Sequence, residues 1–84
     1  MKILVIGGYG IFGGRVVELL ENEPRLTLVV AGRSRAKAEA FCAARGEARA
    51  TLVPAQFDRN GNLAGQLESI GPDLVVDASE PFQA

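Results

Sequence analysis

The sequence predicts an α/β fold in which helices cover a parallel sheet. Four strand-like runs alternate with three helix-like segments, and no linker or low-complexity stretch interrupts them. The connections are short, as they are where right-handed crossovers join parallel strands. A glycine-rich segment, residues 7–14, separates the first strand-like run from the first helical pattern.

The first three elements follow from apolar patterning and chain breakers. Lys2–Ile6 is the first predicted strand. Ile11–Asn22 is the first predicted helix, and Pro24 prevents its continuation. Leu26–Ala31 is almost continuously apolar, as expected for a strand that is buried on both faces. Helical spacing predicts that the buried face of the first helix contains Phe12, Val16, Leu19 and Leu20.

The second predicted helix begins after Ser34, whose hydroxyl is a common N-terminal cap. It runs to about Arg45 and ends at Gly46. Its apolar stripe is thin, and Cys42 is one of the few side chains that can face the core.

The last three elements are shorter. Ala50–Val53 is the third predicted strand, and Leu74–Val76 is the fourth. Between them a third helix is capped by Asn60 or Asn62 and stopped by Gly71-Pro72. Its apolar positions are Leu63, Leu67 and Ile70.

Together these elements predict a Rossmann-like parallel sheet with strand order 3-2-1-4, the first half of a doubly wound domain. A ligand site is expected at the switch point between strands one and four. Seven residues follow Asp77 in this chain of 84, whereas another crossover needs about a dozen or more. The second half is therefore expected to be missing.

Composition limits the class of protein. The chain is 48% hydrophobic and 23% charged, typical of a soluble globular domain, and its net charge is −1. Near-neutral charge argues against binding to nucleic acid or to a membrane surface. A single cysteine and no histidine leave almost no zinc ligands, and they favour a reducing, cytoplasmic location.

The glycine-rich segment carries a candidate site. Gly8, Gly10 and Gly13 fit the G-x-G-x-x-G spacing with which a strand, a turn and a helix cradle a pyrophosphate. Glycines there permit the turn, close approach of the phosphate, and close packing of helix on strand. The alternative is a purely structural glycine turn.

The end of the second strand selects the dinucleotide. NAD-binding domains place an acid there for the ribose 2′-hydroxyl, whereas arginine accommodates the 2′-phosphate of NADP. This chain has Arg33 and Ser34 and no acid, which predicts NADP. The alternative is a solvated basic helix start, since Arg35 and Lys37 follow.

Several other residues have two possible interpretations each. Tyr9 is expected on the exposed loop, over the cofactor or merely partly buried, whereas Phe12 is expected in the core. Asp58 either contacts the adenine end of the dinucleotide or stabilises a turn. Asp77, Ala78 and Ser79 leave the fourth strand near the pyrophosphate or nicotinamide ribose, where Asp77 could equally be a solvated acid.

Three segments resemble the N-terminal NADP-binding domain of the saccharopine dehydrogenase-like family: V-I-G-G-Y-G-I-F-G-G, V-V-A-G-R-S-R-A-K-A-E-A and D-L-V-V-D-A-S-E-P-F-Q. The resemblance covers nearly the whole chain. It implies that Arg33 and Ser34 meet the adenosine ribose phosphate, that Asp58 approaches the adenine, and that Ala78-Ser79 approaches the nicotinamide side. It also implies a pyrophosphate lined by Gly8, Tyr9, Gly10, Ile11 and Phe12.

The chain departs from the family pattern in two ways. Glu80 stands where the family usually has glycine before Pro-Phe-Gln, and its charge could repel the nicotinamide end of the cofactor. Family members also continue into a substrate-binding and catalytic domain. Residues 1–84 are therefore expected to be a truncated NADP-binding domain that is not catalytic on its own.

The same residues allow two alternative functions and predict self-association of the chain. Gly7, Gly10 and Gly13 also fit a short-chain dehydrogenase or epimerase, but that class needs a downstream Tyr-x-x-x-Lys, and Tyr9 is the single tyrosine. A non-catalytic NADP-sensing or interaction module could use the same fold. The unpaired edge of the fourth strand, Leu74–Val76, predicts a homo-oligomer.

Overall fold

A computed structural model describes residues 1–58 and 60–78. Strands and helices alternate along these residues, as the sequence predicts. In chain order they are β1 (Lys2–Ile6), α1 (Ile11–Leu20), β2 (Thr27–Gly32), α2 (Arg35–Ala43), β3 (Thr51–Gln56), α3 (Leu63–Ile70) and β4 (Leu74–Asp77).

The four strands form one parallel sheet in the order β3-β2-β1-β4, which confirms the predicted fold class and strand order. Ile6 at the end of β1 pairs with Ala31 of β2 and with Asp77 of β4. The carboxyl ends of these three strands therefore lie side by side at one edge of the sheet.

The sheet is buried on both faces near its centre. Alternate residues of β1 and β2 contribute to two apolar clusters because successive side chains in a strand point to opposite faces. One cluster packs against α1 and α2 and is formed by Ile3, Val5, Val17, Leu28, Val30 and Ala50. The other lies on the α3 side and is formed by Leu4, Ile6, Val29, Ala31 and Phe57.

The helix caps agree with the predictions. Ser34 Oγ accepts a hydrogen bond from Lys37 N (3.1 Å) and caps α2. Asn62, rather than Asn60, caps α3 by accepting from Gly65 N (3.0 Å). Gly71 ends α3 in the left-handed conformation with φ of 62°, which favours glycine.

The predicted bounds differ most at β3, which extends to Gln56 rather than ending at Val53. The strand continues through Pro54 because β3 is an edge strand, where a missing backbone N–H is tolerated. Helix α1 ends at Leu20, before the predicted Asn22.

The predicted buried face of α1 is partly wrong. Gly13 and Val17 are the buried residues of this helix, whereas Leu19 is 82% exposed and Phe12 is 48% exposed. Val16 and Leu20 pack partly buried against the core. The helix is rotated relative to the predicted stripe because Gly13, which has no side chain, lies against the turn that follows β1.

Candidate functional site

The carboxyl ends of β1, β2 and β4 bring the predicted site segments together. The N–H groups of Gly7 and Gly8 both donate to Ala31 O, at 2.7 and 3.2 Å. On the other side of β1, Ala78 N donates to Ile6 O (2.9 Å). The glycine turn therefore lies between the ends of β2 and β4, at the predicted switch point.

Three glycines of the turn are required by the fold itself. Gly7 has φ of 80°, so it is the residue of this turn in the left-handed conformation, which favours glycine. A Cβ at Gly8 would lie 2.8 Å from Val30 Cγ1, and a Cβ at Gly13 would overlap the carbonyl group of Gly7. Backbone conformation at Gly7 and packing at Gly8 and Gly13 therefore explain these glycines without any ligand.

Gly10 is different. It is exposed, its φ and ψ of −86° and −175° suit any residue, and a Cβ there would meet a single neighbour, Gly7 O at 3.3 Å. It is the N-cap of α1, and no side chain caps that helix, whereas Ser34 and Asn62 cap α2 and α3. The fold leaves this position open to solvent at the positive end of a helix, which suits a close anion.

Two apolar residues follow Gly10 in the first turn of α1. Ile11 is 85% exposed, and Phe12 is half-exposed rather than part of the core. The expectation that Phe12 is buried is therefore wrong. Both side chains lie at the site edge of the sheet, which is compatible with the predicted contact to a bound dinucleotide.

Tyr9 lies across the end of β2. A Cβ at Gly32 would come within 2.5 Å of Tyr9 Cε2 and Oη, so the ring covers Gly32. The Tyr9 hydroxyl accepts a hydrogen bond from Ser34 N (3.0 Å), and the ring packs partly buried against the core. Of the two predicted positions, partial burial is the one observed, and the expectation of an exposed loop side chain is wrong.

The segment after β2 presents Arg33 to solvent. Within residues 1–58 and 60–78 its guanidinium forms no ion pair, whereas Arg35 Nε pairs with Glu39 Oε2 at 3.0 Å. Gln56 Nε2 donates to Arg33 O (3.2 Å) and helps to fix the backbone. Gln56 was not among the predicted site residues, because the third strand was predicted to end at Val53.

Asp58 follows β3 at the same edge of the sheet and stabilises a turn. Its Oδ1 accepts from Asn60 N (2.9 Å), and its carbonyl oxygen accepts from Gly61 N (3.0 Å). Gln66 of α3 bonds both backbone groups of Asp58. The turn role of Asp58 is therefore observed.

Asp77 and Ala78 leave β4 beside the glycine turn, as predicted, and the Asp77 side chain is exposed. Ser79 and Glu80, which the sequence analysis also places near the cofactor, lie outside the described residues. Cys42 of α2 is partly buried, and burial raises the pKa of its thiol.

In the described part of the chain, no group of three or more histidine, cysteine, aspartate or glutamate side chains could hold a metal ion. No helix among these residues is long and apolar enough to cross a membrane.

The donors present fit a phosphorylated dinucleotide. An exposed glycine at a helix N-terminus without a side-chain cap suits a pyrophosphate, and an exposed arginine after β2 suits a further phosphate. In a comparison with known families, residues 3–84 match the family described as saccharopine dehydrogenase NADP binding domain. No curated protein matches the chain at a significant level.

Proposed function

The chain belongs to the saccharopine dehydrogenase NADP-binding domain family, and we propose that it holds NADP through the glycine turn, α1 and the segment after β2. The observation that carries this proposal is the exposed Arg33 beside Ser34, whose guanidinium forms no ion pair within residues 1–58 and 60–78. A planar guanidinium and a hydroxyl suit the 2′-phosphate, whereas an acid would repel it.

The pyrophosphate is proposed to lie at Gly10, against the N-terminus of α1. The support is the contrast among the glycines. Gly7 is explained by its positive φ, and Gly8 and Gly13 are explained by packing, whereas a Cβ at Gly10 would meet one atom, Gly7 O at 3.3 Å. Backbone N–H groups at the start of a helix suit phosphate oxygens. The remaining proposed contacts in this part are Gly8, Tyr9, Ile11, Phe12 and Gly13.

The outer contacts of the dinucleotide are proposed from location. Asp58 lies at the carboxyl edge beyond β3, on the side expected for the adenine. Ala78 lies beside the end of β1, on the opposite side of the glycine turn, which is the side expected for the nicotinamide. Ser79 is proposed from the family resemblance.

Titration of the chain with NADPH and NADH tests the proposal directly. We expect saturable quenching or calorimetric heat with NADPH and weaker binding of NADH, because only NADPH carries the 2′-phosphate. Equal or tighter binding of NADH would contradict the assignment to Arg33 and Ser34. No binding of either dinucleotide would contradict the site itself.

We further propose that residues 1–84 form a single nucleotide-binding domain of an oxidoreductase. Nicotinamide cofactors supply hydride transfer, and the protein supplies binding and orientation. The sites described in this chain are donors to phosphate and turn residues. Substrate binding and catalysis are therefore assigned to protein outside these residues.

The cytoplasm is proposed as the location, because Cys42, the single cysteine of the chain, is a free thiol.

Self-association is proposed through the edge of β4. This strand pairs with β1 on one side, and Leu74 and Val75 are 50% and 44% exposed. An edge strand with exposed apolar side chains favours pairing with another chain. Sedimentation at micromolar concentration tests this self-association. We expect the unmutated chain to be a dimer and Val75→Lys to be a monomer. A monodisperse monomer of the unmutated chain would contradict the proposal.

A further inference from the structure

Tyr9 belongs to the glycine turn but contacts the last residue of β2 and the segment that follows this strand. Its ring lies over Gly32, and its hydroxyl accepts the backbone hydrogen bond of Ser34. These contacts connect 25 residues of sequence separation between Tyr9 and Ser34. One side chain therefore joins the proposed pyrophosphate segment to the proposed 2′-phosphate segment.

The segment from Gly32 to Ser34 is held on its other side by β3. Phe57 N donates to Gly32 O (2.7 Å), and Gln56 Nε2 donates to Arg33 O (3.2 Å). Without Tyr9, hydrogen bonds from β3 alone would fix the backbone on which the Arg33 side chain is mounted, apart from the local cap at Ser34. The orientation of Ser34 relative to the glycine turn depends on the Tyr9 hydroxyl.

The bond also determines which groups of Ser34 remain for a ligand. Its N–H is used by Tyr9, and its Oγ accepts from Lys37 N, so its hydroxyl proton is the donor that it can offer. The Tyr9 oxygen likewise accepts from Ser34 and keeps its own proton as a donor. Two hydroxyl donors are thereby placed at the start of α2, next to Arg33.

We propose that Tyr9 is a specificity-determining positioning residue, whose hydroxyl sets the Arg33–Ser34 segment for the 2′-phosphate of NADP. This inference rests on the proposed function and adds to it, because it assigns selectivity to a residue of the glycine turn. The ring of Tyr9 fills space over Gly32, and the hydroxyl carries the selectivity. Phenylalanine at position 9 separates these two roles.

The test compares Tyr9→Phe with the unmutated chain in titrations with NADPH and NADH. We expect the Kd for NADPH to rise about three- to tenfold, the range for one lost neutral hydrogen bond, while the Kd for NADH stays unchanged. If Tyr9 had a merely structural role, Tyr9→Phe would weaken the binding of both dinucleotides equally. Equal weakening, or no change in either Kd, would overturn the inference while leaving the NADP site intact.

A matched control removes a hydrogen bond of the same kind elsewhere. Asn62→Ala deletes the side-chain acceptor of Gly65 N at the start of α3, and we expect the ratio of the two Kd values to stay that of the unmutated chain. Gly32→Ala displaces the whole Tyr9 ring, so it removes both the packing and the hydroxyl contact, and we expect the ratio of the Kd for NADPH to the Kd for NADH to rise as in Tyr9→Phe. A changed ratio in Asn62→Ala would overturn the assignment to Tyr9.

A measurement without ligand or substitution keeps the inference testable if a variant does not fold. In the NMR spectrum of the unmutated chain, we expect nuclear Overhauser contacts from the Tyr9 ring to Gly32 Hα and to the Ser34 amide. Absence of these contacts would overturn the inference. If the contacts are present but the unmutated chain binds neither dinucleotide, the proposed function fails, and the role of Tyr9 in selectivity fails with it.

Discussion

Gly13 of α1 lies so close to the carbonyl group of Gly7 that a Cβ at position 13 would overlap it. Gly7 is also the residue with φ of 80° that turns the chain out of β1. The helix therefore starts directly against the turn that precedes it. This contact orients the N-terminus of α1 toward the edge of the sheet where β1, β2 and β4 end.

Gly13→Ala is expected to destabilise the domain by about 3 kcal/mol, the upper range for overpacking, because the backbone of the turn must move. Gly14→Ala is the matched control in the next position of the same helix. Its Cβ would meet the Phe41 ring at 3.6 Å, an ordinary contact, and alanine favours helix by about 0.5–1 kcal/mol. Urea denaturation distinguishes them, and equal stabilities would contradict the packing argument.

Gly10→Val is expected to abolish NADPH binding while the domain stays folded. The added side chain would occupy the open space at the start of α1, whereas its backbone conformation is allowed. Gly46→Val serves as the control, because a Cβ there meets nothing within 4 Å. Circular dichroism reports the fold and titration reports binding. A folded Gly10→Val that binds NADPH normally would show that the glycine turn is only structural.

Arg33→Gln is expected to raise the Kd for NADPH about tenfold or more and to leave the Kd for NADH unchanged. A charge-assisted hydrogen bond contributes about 1.5–3 kcal/mol, and each 1.4 kcal/mol is about tenfold in Kd. Arg49→Gln removes the same charge from an exposed residue before β3, at the opposite edge of the sheet. Calorimetric titration with NADPH should show weaker binding by Arg33→Gln than by Arg49→Gln. Equal losses of NADPH affinity in the two variants would indicate a general charge effect.

The pair of Glu21 and Arg45 predicts a pH-dependent stability. Arg45 Nε and Nη2 contact the two carboxylate oxygens of Glu21 at 2.6 and 3.0 Å, and the guanidinium lies 5.2 Å from the Phe41 ring centroid. The hydrogen bonds from Arg45 lower the pKa of Glu21 below its ordinary value of 4.5. This stabilisation is therefore present above pH 4.5 and is lost as the pH falls through the lowered pKa.

Glu21→Gln should accordingly cost about 1 kcal/mol at neutral pH and less at acidic pH, where the unmutated Glu21 is protonated as well. Glu39→Gln is the control, since its pair with Arg35 is 55–62% exposed and should contribute about 0.5 kcal/mol or less. Urea denaturation of both variants and of the unmutated chain, at neutral and at acidic pH, measures the stability that each substitution costs. A loss of stability in Glu21→Gln that does not change with pH would contradict the ion-pair account.

The sequence was sufficient to predict the strand order and the cap at Ser34, because they depend on local patterning and short connections. The buried face of α1 was not predictable in the same way. Both sides of this helix carry apolar residues, and the contact of Gly13 with Gly7 decides that Val17 faces the sheet and Leu19 faces solvent. That contact is tertiary, so periodicity alone does not reveal it.

The same limit applies at the site. The spacing of the glycines predicted a turn but did not distinguish Gly7 from Gly8, since only the backbone conformation identifies the residue with positive φ. Tyr9 was assigned to the loop surface because nothing in its neighbours indicates a partner that lies 25 residues later. The absence of an acid near Arg33, by contrast, was readable directly.

The two faces of the sheet are covered unequally, and this has a consequence for motion within the native state. Helices α1 and α2 each bury at least one residue completely, including Val17 and Ala38, whereas α3 buries none. Proteins open in cooperative units, and units with few buried apolar contacts open at the lowest free energy. Backbone amides of α3 should therefore exchange with deuterium through a partial opening, long before those of β1 and β2 require global unfolding.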